Sequence, residues 1–264
     1  MYVILIIIII LYFIYKNKTN IYENFVNINK IYNEIKHSEY STNAMIIVEP
    51  RKHKLLKNVI ENFDSIMDSS WDLYVFYGKS HLNFIQDITK DIVKRRKILL
   101  PLDTDNLTAN DYNKLFKQKS FWDKVKAENI LVFQTDTVLC KESQYKIEDF
   151  IKYNYIGCPY DNKVIGTNSR IWSEYNMYGI GGLSFRKKSY IIKCIENNPN
   201  IPDNFAEDVF YSECLENNKP DVKDLNKFCT QHKYFDNSFG LHKPTNLKNN
   251  KALHSYCPEI KILE

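Results

Sequence analysis

Glycine is scarce in this chain, with only 7 residues among 264, and no stretch has the GxGxxG or Walker spacing of a phosphate-binding loop. Such loops need several glycines because the backbone must approach the phosphates closely. The nearest candidate, Gly179-Ile-Gly-Gly182, precedes the short apolar strand pattern Leu183-Ser-Phe185. Two interpretations stay open for it, a tight turn or a point of close backbone approach to a ligand. The two familiar glycine-rich nucleotide loops are excluded.

Paired cysteines are also lacking. The six cysteines are Cys140, Cys158, Cys194, Cys214, Cys229 and Cys257. None stands in a CxxC motif or another close pair, so the sequence gives little support to a zinc site or a redox motif. We expect free, mostly buried thiols, although the even number leaves disulfides open.

The chain has no strong excess of charge. Its net charge is +4 and its pI near 8.5, without the clustered basic surface of a nucleic-acid-binding protein. A modest basic balance suits an anionic substrate. The length favours one α/β domain with a short appendage over two enzyme domains.

Residues Tyr2 to Tyr15 form an apolar run that Lys16 and Lys18 close. The run is shorter than the roughly 20 residues of an ordinary membrane-spanning helix. It also lacks the basic start and the small-residue cleavage site of a secretory signal. We therefore predict an uncleaved single-pass anchor at 1–16, with the lysines keeping the rest of the chain on the cytoplasmic side.

The anchor is followed by a polar stretch, 17–43, that we interpret as a stem. It either holds the domain away from the membrane or packs on the domain as a helix. The domain itself is predicted to span 44–264.

Apolar runs alternate with helical patterns from residue 44 onward. Strands are predicted at Ala44–Pro50, Trp71–Gly78, Lys97–Leu102 and Asn129–Phe133, and helices over Leu55–Met67, His81–Arg95 and Tyr112–Lys117. This alternation predicts a mostly parallel sheet with helices on both faces. Ligands of such sheets bind beyond the carboxyl ends of the strands. Asp136 stands there, after the fourth strand, where a carboxylate either binds a divalent metal or stabilises a turn.

Five short motifs follow one another in a recognisable order. They are Ile130–Asp136, Tyr155–Tyr160, Gly179–Arg186, Ala206–Phe210 and Phe239–Pro244. Together they resemble a family of GT-A-type glycosyltransferase-like proteins, many of them from giant viruses, and the resemblance covers about Ala44 to Pro258. It implies a GT-A-like α/β domain that transfers a sugar from a nucleotide-sugar donor to a glycan or protein hydroxyl, in an infected host cell or a virion.

The resemblance also implies roles for individual residues. Asp136 would bind Mn²⁺ or Mg²⁺, although Thr135 and Thr137 flank it in place of the usual Asp-X-Asp pair. The Phe239–Pro244 segment looks like the C-terminal segment of glycogenin-like transferases, which implies His242 as a second metal ligand and Lys243 as a diphosphate contact. A surface His-Lys pair before a turn is the alternative.

Four further residues receive roles from the same comparison. Asp208 would be the general base and Glu207 its neighbour near the acceptor, while Gly181 and Gly182 would form part of the donor floor. Acidic residues in a first helical turn also complement the helix dipole, so capping is the competing explanation for Asp208. Arg170, in a long polar stretch, could reach a phosphate.

Two other functions stay in view. A catalytically silent membrane-tethered binding or scaffold protein would fit the lone aspartate of the metal motif. A nucleotidyltransferase is disfavoured because Glu49-Pro50-Arg51-Lys52 stands after the first strand, where a Gly-rich basic loop would be required. No nucleic-acid-binding motif is present.

Overall fold

The structure is a computed structural model that describes residues 41–159 and 178–264. The predicted anchor, most of the stem, and Arg170 all lie outside the described residues. Within the described part, no helix is long and apolar enough to cross a membrane. The compact unit is assigned to Ser41–Glu264.

Two sheets organise the described residues. The strands are β1 (Asn43–Glu49), β2 (Trp71–Gly78), β3 (Lys97–Leu102), β4 (Asn129–Phe133), β5 (Thr137–Leu139), β6 (Tyr155–Cys158), β7 (Ile180–Lys187), β8 (Cys229–Thr230) and β9 (Gly240–His242). The helices are α1 (Leu56–Ile66), α2 (Leu82–Ile88), α3 (Ala109–Phe116), α4 (Lys119–Trp122), α5 (Lys188–Asn197), α6 (Glu207–Glu213), α7 (Val222–Phe228) and α8 (Lys251–Tyr256). Short 3-10 turns are formed by Ile147–Asp149, Thr245–Leu247 and Pro258–Leu263.

The larger sheet has the strand order β3-β2-β1-β4-β7-β6. Its first four strands are parallel, whereas β7 is antiparallel to both β4 and β6. The sheet is therefore mixed, with β7 as the reversed strand among five that share one direction. The predicted α/β class with a mostly parallel sheet flanked by helices agrees with this arrangement.

Side chains of the central strands alternate between two apolar layers. Met45 and Ile47 of β1 pack on the α1 side with Phe63, while Ala44 and Ile46 pack on the opposite side with Phe116. Both faces of β1 are buried because neither has a polar residue between 44 and 48. This continuous apolar run is what made the strand visible in the sequence.

The second helix is shorter than predicted. The apolar spacing suggested a helix over His81–Arg95, but α2 ends at Ile88. The Thr89 hydroxyl donates to the Ile85 carbonyl (2.7 Å). The buried Arg95 guanidinium donates to four carbonyls between the last turns of α1 and the start of β2, including that of Trp71 (2.8 Å). Ile92 lies outside the helix and is still buried, in the same apolar cluster as Ile85 and Ile88.

The expectation of free cysteines is wrong for four of the six. Cys140 is bonded to Cys257 and Cys158 to Cys229, while Cys194 and Cys214 are free. The partners are 117 and 71 residues apart, so no local spacing could have revealed them. The folded sheets bring them together, as described for the small sheet below.

The smaller sheet has the order β5-β9-β8 and carries the C-terminal part of the chain. Its apolar cluster includes Val138, Leu241 and Leu253, and the Cys140–Cys257 disulfide lies in the same cluster. In the antiparallel register of β5 and β9, Thr137 lies opposite His242. This pairing places the residue before Thr137 beside the residues at the end of β9.

Candidate active site

A cleft of about 600 Å³ opens at the carboxyl edge of the parallel strands. Its walls come from the ends of β1 and β4, the start of β7, the first turn of α6, and the end of β9. The predicted site residues that line it are Asp136, Gly182, Glu207, Asp208, His242 and Lys243. Residues more than a hundred positions apart in sequence thus meet in one cleft.

Asp136 and His242 face each other across this cleft. The His242 Nε2 atom lies 3.6 Å from Asp136 Oδ1, so the predicted proximity of the two side chains is confirmed. Both atoms are buried, and neither has a hydrogen-bond partner among the described residues. Buried polar atoms that lack a hydrogen-bond partner require an explanation, and a bound cation between these two atoms is one that their positions allow.

The tautomer of His242 is set by Gln231. The Gln231 Oε1 atom lies 3.0 Å from His242 Nδ1, and the Gln231 amide nitrogen lies 3.0 Å from His232 Nε2. With the amide oxygen accepting from Nδ1–H, the lone pair of His242 is at Nε2, which faces Asp136. Burial lowers the pKa of His242 to about 4, more than the Asp136 charge raises it, so the ring is neutral at physiological pH.

These features fit a divalent metal. A neutral imidazole with a lone pair, a carboxylate oxygen and a hydrogen-bonded second ring nitrogen are the usual elements of a histidine–carboxylate metal site. Two ligands that each lie about 2.1 Å from an ion are about 3.0–3.6 Å apart, as these atoms are. Within residues 41–159 and 178–264, however, no group of three or more His, Cys, Asp or Glu side chains is placed to share one ion.

Lys243 supplies positive charge at the cleft. Its Nζ atom lies 3.7 Å from Asp136 Oδ2, and its amide donates to the Asp136 carbonyl at 3.0 Å. The backbone of Lys243 has φ of +45°, a left-handed conformation that is uncommon for a residue with a side chain. The turn that follows β9 therefore holds the lysine beside the aspartate.

Gly182 allows the backbone of β7 to lie against the His242 ring. A Cβ at this position would be 2.2 Å from His242 Nε2 and 2.9 Å from Gln134 Oε1. Gly181, its neighbour, lies against α6 instead, since a Cβ there would be 2.1 Å from Glu207 Oε1. The close contacts that these two glycines allow are with side chains of the protein, so their approach to a ligand stays a prediction.

Asp208 is half-buried in the first turn of α6, and it lines the cleft. Its Oδ2 accepts a hydrogen bond from the Gly181 amide (3.2 Å), and its Oδ1 accepts one from the Val209 amide (2.9 Å). Burial and then the Glu207 charge raise its pKa to about 6, in spite of these two bonds. A carboxyl group with this pKa is suited to proton transfer near neutral pH.

Helix capping accounts for only part of the Asp208 environment. The N-cap of α6 is Ala206, and Asp208 is the second residue of the helix. The bond from the Val209 amide does satisfy one free donor of the first turn. The second bond, from the Gly181 amide, connects the carboxylate to β7 and has no role in capping the helix.

Glu207 has a different environment from Asp208. Its two carboxylate oxygens bind the two terminal nitrogens of the Arg186 guanidinium at 2.5 and 3.0 Å, and both side chains are buried. Its predicted contact with an acceptor stays a prediction. The contacts seen in the structure favour a positioning role.

Sequence reasoning missed two residues of this region. Arg186 could have been suspected, because a charged residue inside an apolar strand implies a buried partner. Gln231 gave no signal, since its role depends on the pairing of β8 with β9.

A larger cleft of about 750 Å³ lies elsewhere, between α5 and the end of α6. It contains Cys194 and Cys214 but none of the predicted site residues. Size alone would select this cleft. The buried, unpartnered acceptors and the raised carboxyl pKa occur in the smaller one, which we therefore regard as the candidate active site.

The model of one protein family, described as "Protein of unknown function (DUF5672)", matches residues 99–242. This range covers more than half of the chain. The chain belongs to this family. The matched range runs from β3 to His242, so it includes Asp136, Gly181, Gly182 and Asp208, and it assigns no activity to them. No curated protein matches the sequence.

Several solved structures resemble the fold. A mannosyltransferase from Pyrobaculum calidifontis in complex with GDP-Man and Mn²⁺ has a TM-score of 0.44 and 9% identity, covering 65% of this chain and 52% of its own. Mouse xyloside xylosyltransferase 1 has a TM-score of 0.48 and 8% identity, covering 78% of this chain and 98% of its own. TarS of S. aureus in complex with UDP-GlcNAc has a TM-score of 0.44 and 13% identity, covering 65% of this chain and 53% of its own. The chain thus spans about half the length of the first and the third. These low values leave the function to be argued from the site.

Proposed function

We propose that this chain is a metal-assisted glycosyltransferase that moves a sugar from a nucleoside-diphosphate sugar to a hydroxyl group of a glycan or protein. The observation that carries the proposal is that one cleft contains both the Asp136–His242 pair, whose facing Oδ1 and Nε2 atoms have no hydrogen-bond partner among the described residues, and Asp208, whose pKa is about 6. Sugar transfer needs both elements, because the leaving diphosphate must be neutralised and the acceptor hydroxyl must lose a proton.

Each side chain has a defined task in this proposal. Asp136 Oδ1 and His242 Nε2 would hold Mn²⁺ or Mg²⁺, which supplies positive charge for the diphosphate when bound. Lys243 would add a second cation to the same leaving group. Asp208 in its carboxylate form would accept the proton of the acceptor hydroxyl. Gly182 leaves room for a ligand close to the sheet edge.

A catalytically silent binding protein is the second candidate. One observation favours it: Thr137, beside the lone aspartate, is fully buried with its hydroxyl donating to the Gln134 carbonyl (2.6 Å), and it does not line the cleft as a second ligand would. Such a protein would bind the nucleotide sugar without transferring it. Transfer of sugar by the wild-type protein, the reference rate of the second experiment below, separates the two candidates.

The first experiment asks whether a donor binds. We expect a panel of UDP- and GDP-sugars to raise the Tm only when Mn²⁺ is present, since a ligand of the native state stabilises it. Asp136→Ala should abolish the shift and leave the unliganded Tm almost unchanged. Asp91→Ala, an exposed carboxylate in a turn, is the control and should keep the shift. A metal-independent shift in wild type and in Asp136→Ala would contradict the metal assignment.

The second experiment tests the general base. Asp208→Asn should retain donor binding while transfer falls by roughly 10²–10⁴-fold, because the amide keeps the size of the side chain and cannot accept the proton. Asp208→Ala should lose transfer as well and, through the lost backbone bonds, about 1 kcal/mol of stability. An Asp208→Asn enzyme with wild-type transfer would remove the catalytic role of this residue.

Membrane attachment through residues 1–16 is also part of the proposal, and it is supported only by the apolar run Tyr2–Tyr15. The sequence predicted the domain on the cytoplasmic side. The two disulfides support the opposite side, because disulfides persist in oxidising compartments. Removal of residues 1–16 should give a soluble protein with a cooperative melting transition. Aggregation of this truncated chain would count against an anchor.

A further inference from the structure

Arg186 lies near the middle of the protein although it carries a permanent charge. Its side chain is fully buried in β7, and its guanidinium carbon lies 5.2–5.4 Å from the ring centres of Phe116, Tyr155 and Tyr211. The partner of the charge is Glu207, bound through both oxygens. The planar guanidinium suits this two-point contact, which the single ammonium of lysine could not reproduce.

A buried ion pair of this kind is weak evidence for stability. The cost of removing two charges from water offsets most of their attraction, and apolar replacements of both partners are often neutral or stabilising. What the pair offers is a fixed geometry between β7 and α6. The positions of the neighbouring residues show what that geometry holds in place.

The pair lies directly behind the Gly181 backbone. The Gly181 carbonyl accepts hydrogen bonds from Ser184 Oγ (2.9 Å) and from Arg186 Nη2 (3.3 Å), and its amide donates to Asp208 Oδ2 (3.2 Å). Arg186 Nε in turn donates to Ser184 Oγ at 2.9 Å. The peptide groups on both sides of Gly181 therefore connect the buried guanidinium to the carboxylate of the cleft.

Glu207 and Asp208 are consecutive in the first turn of α6. The Glu207 carboxylate, which Arg186 binds, is therefore next to the Asp208 carboxylate in the cleft. The start of the helix is fixed by the ion pair on the core side and by Gly181 on the cleft side. Gly182, the next residue of β7, lies against His242. A shift at Arg186 would thus move the Asp208 carboxylate relative to the Asp136–His242 pair.

We propose that Arg186, through its buried two-point contact with Glu207, is a positioning residue that aims Asp208 into the cleft. This inference rests on the proposed function of Asp208 as general base. Arg186 itself does not line the cleft. Its effect is confined to the place and direction of the neighbouring carboxylate.

The test replaces both charges at once with Arg186→Met and Glu207→Leu in the same chain. This double variant leaves no unpaired buried charge, so it should fold with a Tm close to that of wild type. We expect donor binding from the UDP- and GDP-sugar panel with Mn²⁺ to be retained, while kcat falls by about 10–100-fold, the effect of a small misplacement of a catalytic group. Hydrogen exchange of the Gly181 amide should become faster.

Two single variants complete the test: Phe116→Leu is the control, and Arg186→Lys is a second test of the contact. Phe116→Leu removes aromatic packing around the guanidinium but keeps the ion pair, so it should lower the Tm and leave kcat unchanged. Arg186→Lys keeps the charge without the two-point contact, so it should lower kcat while the donor Kd stays the same. If the double variant does not fold, Arg186→Lys provides the same comparison.

The proposal is overturned if the folded double variant, or Arg186→Lys in its place, transfers sugar at the wild-type rate with an unchanged Gly181 exchange rate. The proposed function can fail separately. If the wild-type protein binds no sugar nucleotide in the panel, that function is wrong, and the Gly181 exchange rate still decides whether the ion pair holds the start of β7 against α6. Slow exchange in both the wild type and the double variant would then refute the positioning role.

Discussion

The surroundings of the His242 side chain determine both its orientation and its protonation state. Its Nδ1 is bonded to Gln231, its Nε2 faces Asp136, and its low pKa keeps the ring neutral. Each property depends on burial, because an exposed imidazole would rotate and would be partly protonated near pH 6.5. The glutamine is therefore as much a part of the proposed metal site as the histidine.

Gln231→Leu should weaken Mn²⁺ binding by about 10–100-fold, the usual effect of removing a partner that orients a metal-binding histidine. The leucine cannot accept a hydrogen bond from Nδ1–H, so the ring loses its fixed tautomer. The Mn²⁺ affinity can be measured by calorimetry or by the electron-spin-resonance signal of free Mn²⁺, without turnover. Gln118→Leu, the same change away from the cleft, should leave it unaltered. Equal affinity in both variants would show that Gln231 does not orient the ligand.

The pKa of Asp208 predicts a pH dependence of activity. Below about pH 6 the carboxyl is protonated and cannot act as a base, so kcat/KM should rise about tenfold per pH unit and level off above pH 6. The remaining activity of Asp208→Asn should lack this rise. A wild-type profile that is flat from pH 5 to 8 would assign the base to another group.

The same pKa makes a prediction about stability. The native state holds the Asp208 proton more tightly than the unfolded chain, whose aspartate titrates near 3.8, so ionisation costs the native state stability as the pH rises from about 4 to 6. Asp208→Asn does not carry this cost. Its Tm relative to wild type should therefore be higher at pH 7 than at pH 4. A difference in Tm that is the same at both pH values would contradict the raised pKa.

Among the elements, β7 contacts both parts of the candidate site, His242 of the Asp136–His242 pair and Asp208. Its reversed direction brings Ile180 and the adjoining glycines to the edge where the parallel strands end, and its other end carries Arg186 into the core. One strand thus contacts both His242, at Gly182, and the Asp208 carboxylate of α6, at Gly181. This explains why two small residues are needed at its start.

Gly182→Ala should lower both the Mn²⁺ affinity and the stability. The added Cβ would overlap the His242 ring at 2.2 Å, and such overpacking costs about 1–3 kcal/mol. Gly240→Ala is the comparison, because its Cβ would meet chiefly the flexible end of Leu183 (2.7 Å) and the Val138 carbonyl (2.9 Å), away from the ring. It should lower the Tm without a change in Mn²⁺ affinity. Identical effects of the two variants on Mn²⁺ affinity would refute the contact with His242.

The elements that sequence patterns predicted well are those with strong local signals. The strands Trp71–Gly78, Lys97–Leu102 and Asn129–Phe133 have the predicted bounds, because their apolar runs are bounded by polar residues. The direction of β7 was not predictable, since an apolar run has the same pattern when it is read backwards. The pairing of β9 with β5 depends on a long connection and leaves no periodic trace.

The candidate site was predictable to a similar extent. Asp136 follows a clear strand, so its place at the sheet edge could be expected from the pattern alone. His242 and Asp208 were assigned through the family resemblance, and the structure brings them to the same cleft. Gln231 and the Arg186–Glu207 pair are defined by contacts across the fold, which no local spacing encodes.

At the scale of the whole molecule, two disulfides hold the C-terminal part of the chain to the sheets. Cys140–Cys257 attaches the last turns to β5, and Cys158–Cys229 attaches β6 to β8. Peptide mapping without reductant should recover both pairs, and reduction should cost about 2–5 kcal/mol per bond. The variant with Cys194→Ser and Cys214→Ser should give the same map. Six alkylated thiols in the unreduced native protein would refute both pairs.

The antiparallel pairing of β5 with β9 also has a consequence for the order of events during synthesis. Asp136 leaves the ribosome more than a hundred residues before His242, and at about 5–20 residues per second that interval lasts several seconds. The parallel strands can assemble during this time, but the proposed cation site cannot form until β9 has been made and has paired with β5. On this proposal, a nascent chain that stops before β9 would fold the sheet and would not bind Mn²⁺ at this site.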